Sequence, residues 1–105
     1  MGYIMVFLWF PPNKWPEVAE ITQKNQERFS ADESLGTVVV PMAVGSDKDG
    51  VVVQHIFLPN KGKFEEAWTQ YRRITATYQG IVGFRSQLRH WVTQEEIVAD
   101  IAANQ

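Results

Sequence analysis

The stretch YIMVFLWF at residues 3–10 decides the fold of this chain. It is rich in β-branched and aromatic residues and is apolar at both its odd and its even positions, which is typical of a strand covered on both sides. Pro11 and Pro12 end the run, and it is far shorter than the roughly 20 residues that a membrane-spanning helix needs. We therefore predict a central β-strand and no membrane span.

The segments that follow alternate between helical and extended patterns. Apolar residues at helical spacing predict a surface helix that runs to about Phe29 and a more apolar helix that begins at Phe64 and stops at Gly80. Between these helices, β-branched runs at residues 37–44 and 51–58 flank a Gly- and Asp-rich turn, which predicts a hairpin. Pro41 cannot donate to a sheet ladder, so we expect the first hairpin strand at an edge and the second in the interior.

The last third of the chain predicts one more strand and one more helix. Residues 84–92 alternate as a strand does, and Thr93 with Glu96 forms a capping box that opens a short C-terminal helix. The full order is that of a ferredoxin-like βαββαβ fold in the α+β class, in which both helices cover one face of a four-stranded antiparallel sheet. A chain of 105 residues has room for one core, so residues 1–105 are predicted to form one domain.

The predicted sheet has one face without helices, and that face is aromatic. Ile4, Val6 and Leu8 suit the helix side of the first strand, which leaves the residues between them on the other side. Several large rings on one open face exceed what a monomer usually tolerates, so we predict a homodimer or a larger homo-oligomer. The rings expected there are Tyr3, Phe7, Trp9 and Trp91.

Composition and charge exclude several classes of function. A net charge of −2 and a pI near 5.6 give no attraction to a nucleic acid or an anionic membrane, which argues against an RNA-recognition module of the same element order. Cysteine is absent, which fits a cytoplasmic protein and removes thiolate chemistry. The motifs of common hydrolases, nucleotide-binding proteins and zinc proteases are missing as well, so neither a metal site nor a cofactor is predicted.

Two segments carry a resemblance to a known superfamily. MVFLWFPPN at residues 5–13 and RHWVTQEE at residues 89–96, together with the element order, resemble the dimeric α+β barrel superfamily. Its members include antibiotic-biosynthesis monooxygenases, muconolactone isomerases and stress-responsive barrel proteins. The resemblance implies a dimeric barrel whose pocket holds a small hydrophobic or aromatic molecule.

Candidate site residues follow from side-chain chemistry within this frame. His55 lies in an apolar strand and could move a proton near neutral pH, while Arg89 could bind an anion through its planar guanidinium, so we predict these two as catalytic. Each also has a structural interpretation, His55 as a hydrogen-bonded core histidine and Arg89 as an interface or solvated residue. The predicted pocket lining consists of Tyr3, Phe7, Trp9, Phe57, Trp91 and Tyr71.

Two functions remain open at this point. The first is a cofactor-independent enzyme, similar to a monooxygenase or an isomerase, that acts on a small aromatic or polyketide-like compound. The second is a non-catalytic binding or assembly protein built on the same barrel. An enclosed pocket beside His55 favours the first function, and an interface that fills the aromatic face favours the second.

Overall fold

The structure, a computed structural model, describes residues 2–29 and 33–103. Its elements follow the predicted order, and the helices and strands share one α+β architecture with a four-stranded antiparallel sheet. The predicted fold class is therefore confirmed for the single chain. The elements are β1 (Tyr3–Phe10), α1 (Trp15–Arg28), β2 (Gly36–Asp47), β3 (Gly50–Pro59), α2 (Phe64–Ala76), β4 (Arg85–Trp91) and α3 (Gln94–Ala103), with a 3-10 turn at Pro12–Lys14 before α1.

The strands lie in the order β2-β3-β1-β4. This places the continuous apolar strand β1 in the interior, where neighbours pair with it on both sides, and it places Pro41 in the edge strand β2, as predicted. β2 is longer than the sequence indicated because the hairpin turn is tighter than residues 45–50. The ladder continues until Asp47 opposes Gly50, the Asp47 carboxylate accepts a hydrogen bond from the backbone N–H of Asp49 at 2.7 Å, and Gly50 takes a φ of +114° that favours glycine.

Alternation along β1 separates the two faces of the sheet. Ile4, Val6, Leu8 and Phe10 are buried in the core cluster, whereas the residues between them point to the other face, since successive side chains of a strand alternate. The predicted helix side of β1 is therefore confirmed. The helices complete the core with Val18 and Ala67, and the turn after α2 adds Tyr78. The partly buried margin of the core consists of Ile21, Phe64, Trp68, Tyr71, Ile74, Phe84 and Leu88.

The ends of the last two helices show how local hydrogen bonds fix their lengths. α2 ends at Ala76 rather than at Gly80, because the backbone tightens into a turn in which the N–H of Tyr78 donates to the carbonyl of Thr75. Thr93 begins α3 as predicted, since its hydroxyl accepts a hydrogen bond from the backbone N–H of Glu96 at 3.1 Å. Among residues 2–29 and 33–103, no helix combines the length and the apolar character that crossing a membrane requires.

Candidate functional site

A histidine and a tyrosine meet on the helix side of the sheet, opposite an irregular part of β2. His55 of β3 pairs with Val6 of β1 and thus shares the face that the helices cover. The β2–β3 register shifts twice, between Val38 and Val40 and between Val40 and Ala43. Such irregularities re-aim backbone groups and occur often beside functional sites. Here the carbonyl of Pro41 lies 2.7 Å from Nδ1 of His55.

The hydrogen bonds of His55 fix its tautomer. Nε2 of the ring lies 2.7 Å from the hydroxyl of Tyr71 on α2, and Nδ1 faces the carbonyl of Pro41. A carbonyl oxygen can only accept, so Nδ1 carries the proton and donates it. In a neutral ring Nε2 then accepts, and the Tyr71 hydroxyl donates to it. The imidazole is thereby oriented with its basic nitrogen toward α2.

Both groups are held in their neutral forms. Burial lowers the pKa of His55, and the hydrogen bond to the Pro41 carbonyl offsets this only in part. Burial also raises the pKa of the Tyr71 hydroxyl. Desolvation disfavours the charged form of either group, so imidazolium and phenolate are both less favourable here than in water. The pair therefore acts as a neutral donor and acceptor near pH 7.

Tyr71 connects this pair to a cavity. Its ring centroid lies 5.2 Å from that of His55 and 5.3 Å from that of Phe57. Phe57 and Tyr71 both line a cavity of about 500 Å³, which is within the size range of small-molecule sites. Its other apolar walls are Phe29, Leu35, Val38 and Ile74, and the polar side chains of Glu33, Thr37 and Gln70 line it as well.

A second cavity opens on the same face, beyond His55. It measures about 430 Å³ and is lined by Trp15, Val18, Met42 and Val53, among others. Val53, His55 and Phe57 alternate along β3, so His55 lies between the strand positions that border the two cavities. The helix side of the sheet over β2 and β3 thus carries two mainly apolar cavities, together called the groove here, on either side of His55, and His55 itself lines neither of them.

A broader depression, of about 1120 Å³, lies at the outer surface near the end of α1 and along α2. Arg28, Glu65, Glu66 and Arg73 are among its lining residues, so its charged side chains have both signs. Its apolar walls are limited to Phe29 and Leu35, which it shares with the cavity beside Tyr71, and its other lining residues are polar or charged, unlike the mainly apolar walls of a small-molecule site. We therefore take the groove beside Tyr71, and not this depression, as the candidate site.

The predicted rings of the other face lie together, but arginines cover two of them. Phe7 and Trp9 stack with their centroids 5.8 Å apart. The guanidinium of Arg89 lies 4.7 Å above Phe7, and that of Arg85 lies 5.3 Å above Trp9. Phe7 is consequently only 8% exposed. Stacking of this kind is favourable because the ring faces are negative.

The structure does not bring the two predicted catalytic residues together. His55 opposes Val6, whereas Arg89 opposes Met5, and neighbouring residues of β1 point to opposite faces. Within one subunit the two side chains therefore point away from each other, and their catalytic roles stay predictions. The predicted pocket lining also divides, with Phe57 and Tyr71 on the helix side and Tyr3, Phe7, Trp9 and Trp91 on the other.

Sequence reasoning missed one functional group, the backbone carbonyl of Pro41. A proline in an edge strand beside a histidine-bearing strand is a signal for a local irregularity, because proline breaks the ladder. It does not show which carbonyl turns toward which ring. His90, the other histidine, packs against Phe64 with ring centroids 4.4 Å apart and contributes to neither cavity lining.

Comparisons with known proteins add no relative. No model of a known protein family matches the chain, and no curated protein shows significant similarity to it. Within the part of the chain that the structure describes, no group of three or more acidic or histidine side chains is arranged to hold a metal ion. The function of the chain is therefore inferred from the geometry of the two faces of the sheet.

Proposed function

We propose that this chain binds a small apolar or aromatic molecule on the helix side of its sheet and assembles as a dimeric α+β barrel through the other side. One observation carries the proposal: Tyr71 lines a cavity of about 500 Å³ while its hydroxyl is held at 2.7 Å by His55. Apolar walls supply the affinity of such a site, and a few placed polar groups fix the orientation of the ligand.

The chemistry of the pair defines what it can contribute. Because Nε2 of His55 accepts the Tyr71 proton, the tyrosine oxygen keeps lone pairs with which it can accept a further hydrogen bond. A ligand hydroxyl that donates to this oxygen is aligned with the basic nitrogen behind it. In the enzymatic form of the proposal, the ligand proton passes to the Tyr71 oxygen as Tyr71 gives its own proton to Nε2. A ligand anion and an imidazolium then face each other across a neutral phenol.

The dimeric part of the proposal is supported by the helix-free face. Trp91 is 50% exposed and opposes Tyr3 at the end of β1, beside the stacked rings of Phe7 and Trp9. Rings with cationic side chains among them are common at subunit interfaces, where Trp, Tyr and Arg contribute much of the binding energy. A second copy of the chain, related by a two-fold axis, is the simplest cover for this face.

One observation favours the non-catalytic alternative, a binding or assembly protein. Both ring nitrogens of His55 already have hydrogen-bond partners within the chain. A histidine with a purely structural role needs no more than this, because buried polar atoms are normally hydrogen-bonded. In this alternative the cavity binds a ligand, or simply remains a gap in the packing, and no proton moves. The two forms differ in whether a bound hydroxyl compound loses its proton.

A fragment screen followed by NMR tests the proposal. Aromatic alcohols, ketones and their parent hydrocarbons are added singly to labelled protein, and the expected hits shift the signals of Phe57, Tyr71 and Val38. We expect Tyr71→Phe to weaken the aromatic alcohols by about fivefold to tenfold, the value of one hydrogen bond, while leaving the hydrocarbons unchanged. Tyr3→Phe, on the other face, is the matched control.

The outcomes separate the alternatives. Binding of 1-naphthol with an optical spectrum shifted toward that of naphtholate supports the enzymatic form, and binding with an unshifted spectrum supports the binding protein. A complete absence of hits, or hits that map only to the face of Phe7 and Trp9, contradicts a ligand site beside Tyr71.

A further inference from the structure

The C-terminal helix α3 is apolar, yet it buries no residue against its own subunit. Ile97, Val98 and Ile101 are 46%, 57% and 55% exposed, and their spacing places them in one stripe along the helix. α3 has 10 residues, fewer than the roughly 12 to 15 that even favourable isolated helices need in water. A surface outside the subunit is therefore required to stabilise it.

Acidic side chains flank this stripe on both sides. At 100° per residue, Asp100 lies about 60° beyond Ile97, and Glu95 lies about 60° beyond Val98. No lysine or arginine occurs in the segment QEEIVADIAA that forms the helix. Neither Glu95 nor Asp100 forms an ion pair with any other residue in the described ranges. The stripe and its flanks thus require an apolar surface with positive charges beside it.

The helix-free face of the sheet has this complementary pattern along β1 and β4. Arg85 and Arg89 are exposed there, and they lie over the rings of Trp9 and Phe7. Arg85 also forms an exposed ion pair with Asp49 of its own subunit at 3.5 Å. Trp91 extends the apolar part toward the end of β4. A helix about 10 Å wide covers two strands that are about 4.8 Å apart. β1 and β4 together therefore form a surface wide enough for one helix.

We propose that α3 of each subunit packs on the helix-free face of a second copy, with Ile97 and Ile101 against Trp91 and the exposed part of Trp9 and with Glu95 and Asp100 beside Arg85 and Arg89. The inference rests on the dimer of the proposed function and names the element that completes it. A two-fold axis makes the exchange reciprocal, so each subunit gives one helix and receives one. Only residues 92 and 93 join β4 to α3, which keeps the donated helix next to the edge of the sheet.

Charge reversal tests this arrangement through mixing. One variant carries Glu95→Lys with Asp100→Lys, and the other carries Arg85→Glu with Arg89→Glu. Each homodimer then contains two repulsive contacts, so its Kd rises by at least about tenfold. In the mixed dimer, the lysines of the first variant's α3 meet the glutamates on the second variant's face, and the unchanged α3 of the second variant meets the unchanged arginines of the first. Both contacts are therefore attractive. Native mass spectrometry of the equimolar mixture is expected to show the heterodimer at about the wild-type affinity.

A control and a second measurement protect the test against misfolding. Glu20→Lys with Lys24→Glu reverses an exposed pair on α1 and is expected to leave the dimer unchanged. The second measurement mixes two batches of wild-type protein, one labelled at the isoleucine methyl groups and the other at the aromatic rings. A nuclear Overhauser effect between the two kinds of label then reports a contact between subunits only. We expect nuclear Overhauser effects from Ile97 and Ile101 to the ring of Trp9 or Trp91.

Each result has one meaning. A heterodimer that regains affinity, together with the intersubunit effects from α3, supports the proposal. A wild-type dimer without those effects, or a mixture that binds no better than its components, overturns the placement of α3 while leaving the dimer intact. A wild-type mass of 12.0 kDa at every concentration overturns this inference and the dimeric part of the proposed function together.

Discussion

The two faces of the sheet differ in what covers the side chains of β1. On the helix side, Val6 and Leu8 of β1 lie in an aliphatic core, and one polar pair, His55 with Tyr71, is held there in neutral form. On the helix-free side, Phe7 and Trp9 are covered by guanidinium groups that remain in contact with water. Burial under the helices favours the neutral form of a polar side chain. An arginine stacked on a ring keeps its own charge in contact with water, so that face can still bind a partner.

The difference also separates the two proposed roles. A ligand needs walls that already exist in one subunit, and the helix side provides them around Tyr71. A partner needs a surface that is accessible before association, and the helix-free side provides one with Trp91 half exposed. Mutations on the two faces should consequently change different measurements: ligand affinity and subunit stability on one, dimer affinity on the other.

The largest expected contrast is between adjacent aromatic residues of β1. Phe10 is 0% exposed and contacts the rings of Trp15 and Phe84, so Phe10→Ala should lower the free energy of unfolding by about 3 to 5 kcal/mol. Trp9→Ala, on the other face, should cost much less when measured in dilute, monomeric protein. Urea denaturation at two protein concentrations gives both values. Equal losses for the two variants would contradict the assignment of the faces.

The next effect concerns the interface. Trp91→Ser should weaken dimerisation by about 2 kcal/mol, or about thirtyfold in Kd, because tryptophan rings that become buried in an interface are among the largest contributors to binding. Sedimentation equilibrium measures the change. Val82→Ser, at an apolar position that is exposed in a loop, is the matched control and should leave the Kd unchanged. An unchanged Kd in Trp91→Ser would remove this ring from the interface.

A smaller effect tests the polar pair of the helix side. Tyr71→Phe leaves Nε2 of His55 without its partner in a partly buried position, which should cost about 1 to 2 kcal/mol of stability. Thermal or urea denaturation is sufficient to detect it. Tyr3→Phe should cost close to nothing, since the Tyr3 hydroxyl has no hydrogen bond within the described residues. Equal costs would show that the His55 contact does not stabilise the fold.

The mildest effect is a dependence of stability on pH. Because burial lowers the pKa of His55 below 6.5, the unfolded chain binds more protons at this site than the folded chain does. The contribution of His55 to stability is therefore complete above pH 6.5 and declines as the pH falls from there toward its folded pKa. His55→Gln should flatten this part of the profile, and His90→Gln should preserve it. A profile that is unchanged in His55→Gln would assign the dependence to other groups.

Much of the fold could be predicted because short stretches of the sequence determine it. Three features each follow from one physical rule applied to a few residues. They are the alternation of β1 residues between the two faces, the edge position of β2 with Pro41, and the capping of α3 by the Thr93 hydroxyl. The lengths of β2 and α2 did not follow, because turn hydrogen bonds near Asp47 and Tyr78 set them. Such bonds depend on backbone geometry and leave little trace in residue type.

The candidate site was predictable only in its parts. His55, Tyr71 and Phe57 are all sequence predictions, but their meeting depends on how β3 aligns with β1 and on the shifted register of β2. That same alignment places Arg89 behind the sheet. A one-residue slip reverses which side chains share a face, and no pattern within β3 alone reports its alignment with β1. The orienting carbonyl of Pro41 is likewise a property of the irregular pairing.

The central claim is that the helix-free face of the sheet, and not its helix side, associates with a second subunit, and the four tryptophans of the chain allow a direct test. Trp9 and Trp91 lie on the helix-free face, whereas Trp15 lines the helix-side groove and Trp68 packs against the core. The measurement follows the four indole N–H signals of wild-type protein by NMR across a wide dilution series. The account predicts that the signals of Trp9 and Trp91 shift together on dilution while those of Trp15 and Trp68 stay fixed. Four invariant signals, or shifts confined to Trp15 and Trp68, would contradict it.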